Sequence, residues 1–203
     1  MIKILDIQIG NTSSVLNMLR KCGTQAEIIS NPLMLTGAKK IIISGVGAFD
    51  AGMQALKDGG WIEALTKLVK EGQIPILGIC LGMQLMCKRS EEGQLPGLGW
   101  FNAEVNRFQF DVDSSLKIPH MGWNTVIVKK SNHLISLNTE EQRYYFVHSY
   151  HVICKASEDI LATANYGGEF TAAINKQNLF GVQFHPEKSH RFGMTLLKRF
   201  IDL

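Results

Sequence analysis

Cys80 stands between two glycines in the stretch Gly78-Ile79-Cys80-Leu81-Gly82. Pro75 to Ile79 is a short apolar run of the kind that fills a strand buried on both faces, and from Leu81 to Cys87 the pattern turns helical. A nucleophile on a sharp strand-to-helix turn needs this arrangement. Its backbone is strained and its neighbours are close, so the flanking positions must lack a Cβ. The helix start turns N–H groups and a partial positive charge toward the sulfur, which favours thiolate, the attacking species. A glycine-flanked cysteine in an apolar run is equally a small buried hydrophobe. The pentapeptide alone does not separate the two.

A cysteine nucleophile needs a base, and the base needs an orienting group. Of the six histidines, His120, His133, His148, His151 and His190 read as ordinary surface or core residues. His185 differs. It follows the apparent strand Leu179–Phe184 and precedes Pro186-Glu187 at a helix start. Cys80 and His185 would both lie at carboxyl ends of strands, where open α/β sheets gather ligands and catalytic groups. An extended backbone between residues 185 and 187 would let the Glu187 carboxylate meet the imidazole and fix its tautomer. An oxyanion hole would complete the set. The Leu81 N–H comes with the elbow, and the glycine-bearing turn Ser44-Gly45-Val46-Gly47 offers a second donor.

The rest of the chain must position these groups. Its 203 residues are 45% hydrophobic, enough to bury the core of a single domain spanning 1–203. A net charge of +3 is too small to argue for a nucleic-acid or membrane surface. No secretory signal or membrane-spanning run is evident. The four cysteines lack paired CxxC spacing, so neither zinc nor a disulfide framework is expected, and a reduced cytoplasmic setting fits best. His148-x-x-His151 lacks the spacing and glutamate of the helical zinc motif. We expect neither metal nor cofactor.

Strands at Ile2–Ile7, Gln25–Ile29, Lys40–Ser44 and the Cys80 run alternate with helical stretches. The first of these is capped by Thr12 or Ser13, the second by Asp50, and a third spans Trp61 to Lys70. That alternation predicts a mostly parallel, twisted open sheet with helices on both faces. Beyond Ser90 the texture is β-rich, with candidate strands at Ala103–Phe108, Asn124–Val128, Arg143–Val147, His151–Ala156, Ile160–Asn165, Phe170–Asn175 and Leu179–Phe184. This predicts an antiparallel β extension, closed by a helix from Lys188 onward.

Gly78 to Gln84 resembles the nucleophile motif of the class I glutamine amidotransferases, and Gly181-Val182-Gln183-Phe184-His185-Pro186-Glu187 resembles their second signature. The stretches Gly45–Phe49, Ser90-Glu91-Glu92-Gly93, Pro119–Asn124, Tyr145–Tyr150 and Glu187-Lys188-Ser189 resemble the branch that serves as glutaminase subunit of imidazole glycerol phosphate synthase. The resemblance runs from Asp6 to the C-terminus and implies the family's flavodoxin-like fold. It implies that Cys80 attacks the glutamine side-chain amide, His185 shuttles the proton and Glu187 orients His185. Leu81 and Val46 would hold the oxyanion, the latter after a local peptide flip. Gly47, Gln84, Ser149 and Tyr150 would hold glutamine, largely through backbone. Ammonia would pass to a separate (β/α)₈-barrel synthase subunit in a heterodimer, with Asn11, Trp123 and Lys188 on or near the interface.

Two departures stand out. Ile7-Gln8 replaces the family's usual Tyr-Gly, and Ser44 replaces a proline before the oxyanion turn. Neither removes a catalytic atom. Both lie where the partner is met or sensed, which leaves open another acceptor, such as amidination of a surface sugar. The same residues would also suit a stand-alone thiol hydrolase, or a binding module without catalysis.

Overall fold

The computed structural model describes residues 1–137 and 141–203. In chain order it contains β1 (Ile2–Leu5), α1 (Thr12–Lys21), β2 (Ala26–Ile29), β3 (Lys40–Gly45), α2 (Phe49–Asp58), α3 (Trp61–Glu71), β4 (Ile76–Cys80) and α4 (Leu81–Leu85). There follow β5 (Arg89–Ser90), β6 (Ala103–Arg107), β7 (His120–Val128), β8 (Gln142–His148), β9 (Tyr150–Cys154), β10 (Ile160–Asn165), β11 (Glu169–Lys176), β12 (Leu179–Val182) and α5 (His190–Asp202).

The strands form one sheet. Its parallel core runs β2-β1-β3-β4-β12, the flavodoxin-like order with β12 in fifth place. Strand side chains alternate between faces, so Ile42, Leu77 and Ile79 pack beneath α1 and α5, while Ile41, Ile43 and Ile76 pack beneath α2 and α3. Beyond β12 the sheet continues antiparallel through β11, β10, β7 and β8, and β9 branches from β11 to β6. This is the α/β plan with an antiparallel extension that the alternation predicts.

Local details differ from the sequence expectation. Thr12 is the first residue of α1, and Asn11 caps it, its Oδ1 accepting the Ser14 N–H at 3.1 Å. Asp50 lies inside α2, where its carboxylate accepts the N–H groups of Gln94 and Leu95; the Glu92 carboxylate accepts the Phe49 N–H at the start of that helix. The stretch Glu92–Leu95 therefore clamps the start of α2 from outside. α4 ends at Leu85, two residues early. β7 begins at His120 rather than Asn124, because the Gly-Trp-Asn stretch pairs with β8 throughout, from His120 opposite His148. β12 is assigned to Val182; the Gln183 N–H still continues its pairing with β11 by donating to the Ala172 carbonyl, and the chain then crosses to β8, where the His185 N–H donates to the Tyr145 carbonyl, each at 2.9 Å.

Candidate active site

Cys80 ends the central strand β4 in a backbone conformation that side chains rarely adopt, with φ 53° and ψ −109°. The neighbouring glycines have measurable reasons. A Cβ on Gly78 would lie 2.6 Å from the Gly82 carbonyl oxygen, and one on Gly82 would lie 1.9 Å from that of Ile43. Both distances are far inside van der Waals contact, so no other residue fits this turn. Cys80 is 6% exposed, and its Sγ lies 3.7 Å from the Gln183 amide nitrogen and 4.0 Å from the Val147 carbonyl oxygen.

His185 enters from the neighbouring strand β12. Its backbone is extended (φ −102°, ψ 96°), which lets Glu187 turn back beneath it, with Nδ1 and Oε1 2.7 Å apart. Ser189 secures the loop: its hydroxyl donates to the His185 carbonyl at 2.6 Å and accepts the Tyr145 N–H at 3.0 Å. Both side chains of the pair are buried, at 1% and 3% exposure, and Nε2 of His185 has no hydrogen-bond partner. Burial by itself would depress the imidazole pKa. The nearby Cys80 sulfur and the Glu187 carboxylate outweigh it and raise the pKa to about 9. One ring nitrogen is thus fixed by a carboxylate, and the other is free to exchange a proton with Cys80. Cys80, His185 and Glu187 come together; their roles are taken up below.

Gly45 pairs in register with Cys80, so the turn carrying Val46 and Gly47 leaves the sheet beside the elbow. Val46 is half exposed, Gly47 has φ +139°, and Leu81 is buried as the first residue of α4. Gly10 presses on this turn, for a Cβ there would lie 2.9 Å from the Gly45 Cα and 3.1 Å from the Val46 nitrogen. Gln84 is buried, and its amide donates to the Tyr150 carbonyl at 3.2 Å and to Gln183 Oε1 at 3.0 Å. The Ser149 carbonyl accepts the Phe108 N–H at 3.0 Å.

The three residues assigned to a partner surface are exposed: Asn11 at the start of α1, Trp123 on β7 and Lys188 after His185. Trp123 stacks on His190 with ring centroids 5.7 Å apart, and Lys188 Nζ sits 5.9 Å from the centre of the Tyr145 ring. Sequence reasoning passed over Gln183, fully buried and in contact with the sulfur. A polar residue between Val182 and Phe184 in an apolar strand was the available signal. It also passed over His120 and His148, a buried pair with Nδ1 and Nε2 2.9 Å apart. Their spacing in sequence carries no signal; only the pairing of β7 with β8 joins them. Among the described residues, no three His, Cys, Asp or Glu side chains are grouped to hold a metal ion, and no helix is long and apolar enough to cross a membrane.

A cysteine on a glycine-walled elbow, facing a carboxylate-bound histidine across adjacent parallel strands, is an arrangement for opening an amide or ester. The family comparison is specific: residues 3–203 match the model described as glutamine amidotransferase class-I. The chain belongs to that family. Among its relatives, the imidazole glycerol phosphate synthase subunit HisH 2 of Methanococcus maripaludis is 49% identical over 99% of this chain and 98% of its own length. The protein of the same name from Pseudomonas aeruginosa is 47% identical over the full length of both chains. A relative called imidazole glycerol phosphate synthase subunit HisH, from Leptospira interrogans, is 44% identical over 100% of both. Solved structures share the fold at low identity. A crystal structure of a glutamine amidotransferase superposes with a TM-score of 0.75 at 18% identity, covering 99% of this chain and 97% of that one. PurLQS from Thermotoga maritima gives 0.71 at 16% identity, with the same coverage.

Proposed function

We propose that residues 1–203 form one cytoplasmic amidotransferase domain that hydrolyses glutamine and delivers the ammonia to a (β/α)₈-barrel synthase subunit in a heterodimer. That partner would use it to make imidazole glycerol phosphate and the aminoimidazole carboxamide nucleotide. The Cys80 thiol proton passes to His185 Nε2 as the sulfur adds to the side-chain carboxamide carbon. The oxyanion is held by the N–H groups of Leu81 and, once its peptide turns, Val46. His185 protonates the departing nitrogen, and ammonia leaves behind a thioester. His185 then takes a proton from water, hydroxide adds to the thioester carbon, and the thiol regains its proton as glutamate departs. Glu187 keeps the proton-bearing nitrogen turned away from the sulfur and stabilises the imidazolium. Gly47, Ser149 and Tyr150 offer backbone groups to the glutamine, with Gln84 behind them, and Asn11, Trp123 and Lys188 meet the partner.

The observation that carries this reading is the 2.7 Å Glu187–His185 bond, which leaves Nε2 free beside a cysteine held at positive φ. Its identity to proteins named as subunits of imidazole glycerol phosphate synthase supports this choice of acceptor. In the complex with the barrel subunit, Cys80→Ala is expected to abolish synthesis from glutamine and to spare synthesis from added ammonia. Loss of both would overturn the division of labour. Brisk glutamine turnover without a partner would instead favour a stand-alone hydrolase.

A second reading rests on the departures at Ile7-Gln8 and Ser44, which adjoin the Gly10 contact with the oxyanion turn. In it the chemistry of residue 80 is unchanged, and the ammonia serves another acceptor such as a surface sugar. Pairing the chain with the barrel subunit decides: no glutamine-driven synthesis of imidazole glycerol phosphate, with glutaminase chemistry intact, would favour this second acceptor.

A further inference from the structure

The buried histidines His120 and His148 lie outside the triad, within an aromatic cluster of Phe108, Phe146, Phe170 and Tyr166. Every ring nitrogen of the pair is bonded, and the partners fix each proton. The Asn124 Oδ1 accepts the Thr125 N–H at 2.8 Å, so the Asn124 amide nitrogen faces the other way. It donates to the Asn165 carbonyl at 2.8 Å and to His120 Nε2 at 3.2 Å. His120 therefore carries its proton on Nδ1 and gives it to His148 Nε2 at 2.9 Å. His148 in turn donates from Nδ1 to the Tyr150 carbonyl at 2.8 Å. A proton added to either ring would set two N–H groups against each other or strand a donor, and burial accordingly pushes His120 down to about 4 and His148 to about 3. Both rings work neutral.

The Tyr150 carbonyl is also where Gln84 donates; Gln84 donates again to Gln183, and the Gln183 amide donates to the Cys80 sulfur. We propose that the relay Asn124–His120–His148 is a positioning device for the nucleophile, holding the Tyr150 carbonyl so that Gln84 and Gln183 present a hydrogen-bond donor to the sulfur of Cys80. The inference rests on the glutaminase reading only for the identity of the electrophile. Packing alone does not account for the pair. In a pocket walled by phenylalanines, two imidazoles cost desolvation that apolar rings would not, and the cost is offset only where every polar atom is satisfied. The relay starts on β7, the strand that carries exposed Trp123, and reaches the sulfur through side chains and the single main-chain carbonyl of Tyr150.

The test uses the intact chain and two probes of Cys80 read by mass spectrometry: iodoacetamide, which reports thiolate reactivity, and the glutamine analogue 6-diazo-5-oxonorleucine, which reports the site. His148→Phe keeps an aromatic ring and removes the donor; His148→Asn restores a donor at the Nδ1 position. Alkylation of His148→Phe and of Gln183→Leu is expected to slow by about tenfold, with His148→Asn within about threefold of the parent. With the analogue, the maximal inactivation rate should fall while the half-saturating concentration holds. Wild-type alkylation by His148→Phe, or a raised half-saturating concentration at unchanged rate, would overturn the relay. Should His148→Phe not fold, Asn124→Ala reads the half-buried end: a two- to threefold slowing, on the order of one weakened hydrogen bond, supports the relay and an unchanged rate refutes it. If the parent takes iodoacetamide and refuses the analogue, the glutaminase reading fails while the comparison among variants stands.

Discussion

The two halves of the sheet build the site by different means. The parallel half, from β2 to β12, works through backbone: Cys80 sits on a strained turn because Gly78 and Gly82 let carbonyls approach where a methyl could not fit, and Gly45 pairs beside it. The antiparallel half works through side chains: His120 donates to His148 and His148 to the Tyr150 carbonyl, which also accepts from Gln84 of the parallel half. Backbone placement tolerates almost no substitution, because the clash is with main chain that cannot rotate away. Side-chain placement degrades in steps, because each lost bond leaves the packing standing.

The sharpest way to break that contrast is Gly82→Ala, whose methyl would meet the Ile43 carbonyl at 1.9 Å. The expected outcome is failure to accumulate as folded protein, read by soluble yield and circular dichroism; a folded, active variant would mean that the elbow is far softer than its geometry. Glu187→Gln comes next. It should lower turnover by about 10³- to 10⁴-fold, the scale met when an amide replaces an orienting carboxylate, with the fold retained by circular dichroism. A loss below tenfold would remove Glu187 from the proposed triad.

Acid should separate the halves further. His120 and His148 bind protons in the unfolded chain near pH 6.5 but in the fold only near about 4 and about 3, so they withdraw stability as pH falls below 6.5. His185, raised to about 9, adds stability that is fully present below pH 6.5 and is lost as pH rises through 9. Melting temperature should therefore peak near pH 6.5 on account of these groups. His148→Phe should flatten the acid limb and leave the alkaline limb alone; an unchanged acid limb would contradict the buried neutral pair. The smallest effect belongs to the cap of α1. Asn11→Ala should cost about 1 kcal/mol, a shift of a few degrees measured by thermal melting, and a neutral result would deny the cap any share in stability.

The same contrast decides how much could be read from sequence. The elbow, its glycines and the His-Pro-Glu stretch were legible because backbone constraints act between residues close in the chain. The parallel core followed from its strand–helix alternation. Gln183, His120 and His148 were not legible as a unit, since β7, β8, β9 and β12 must first be assembled for their side chains to meet. The helix caps failed for a related reason: Asp50 looked like the cap of α2, yet the carboxylate that performs the task, Glu92, arrives from forty-three residues away.

Gly10 touches the Gly45–Val46 peptide with nothing but main chain. A contact made this way has no rotamer to adjust and no group to titrate, so whatever shifts the loop after β1 is handed to its neighbour as displacement. Ile7, Gln8 and Asn11 sit on that loop beside the contact without making it, so the side chains there can differ while the main-chain approach to the turn beside Cys80 stays the same.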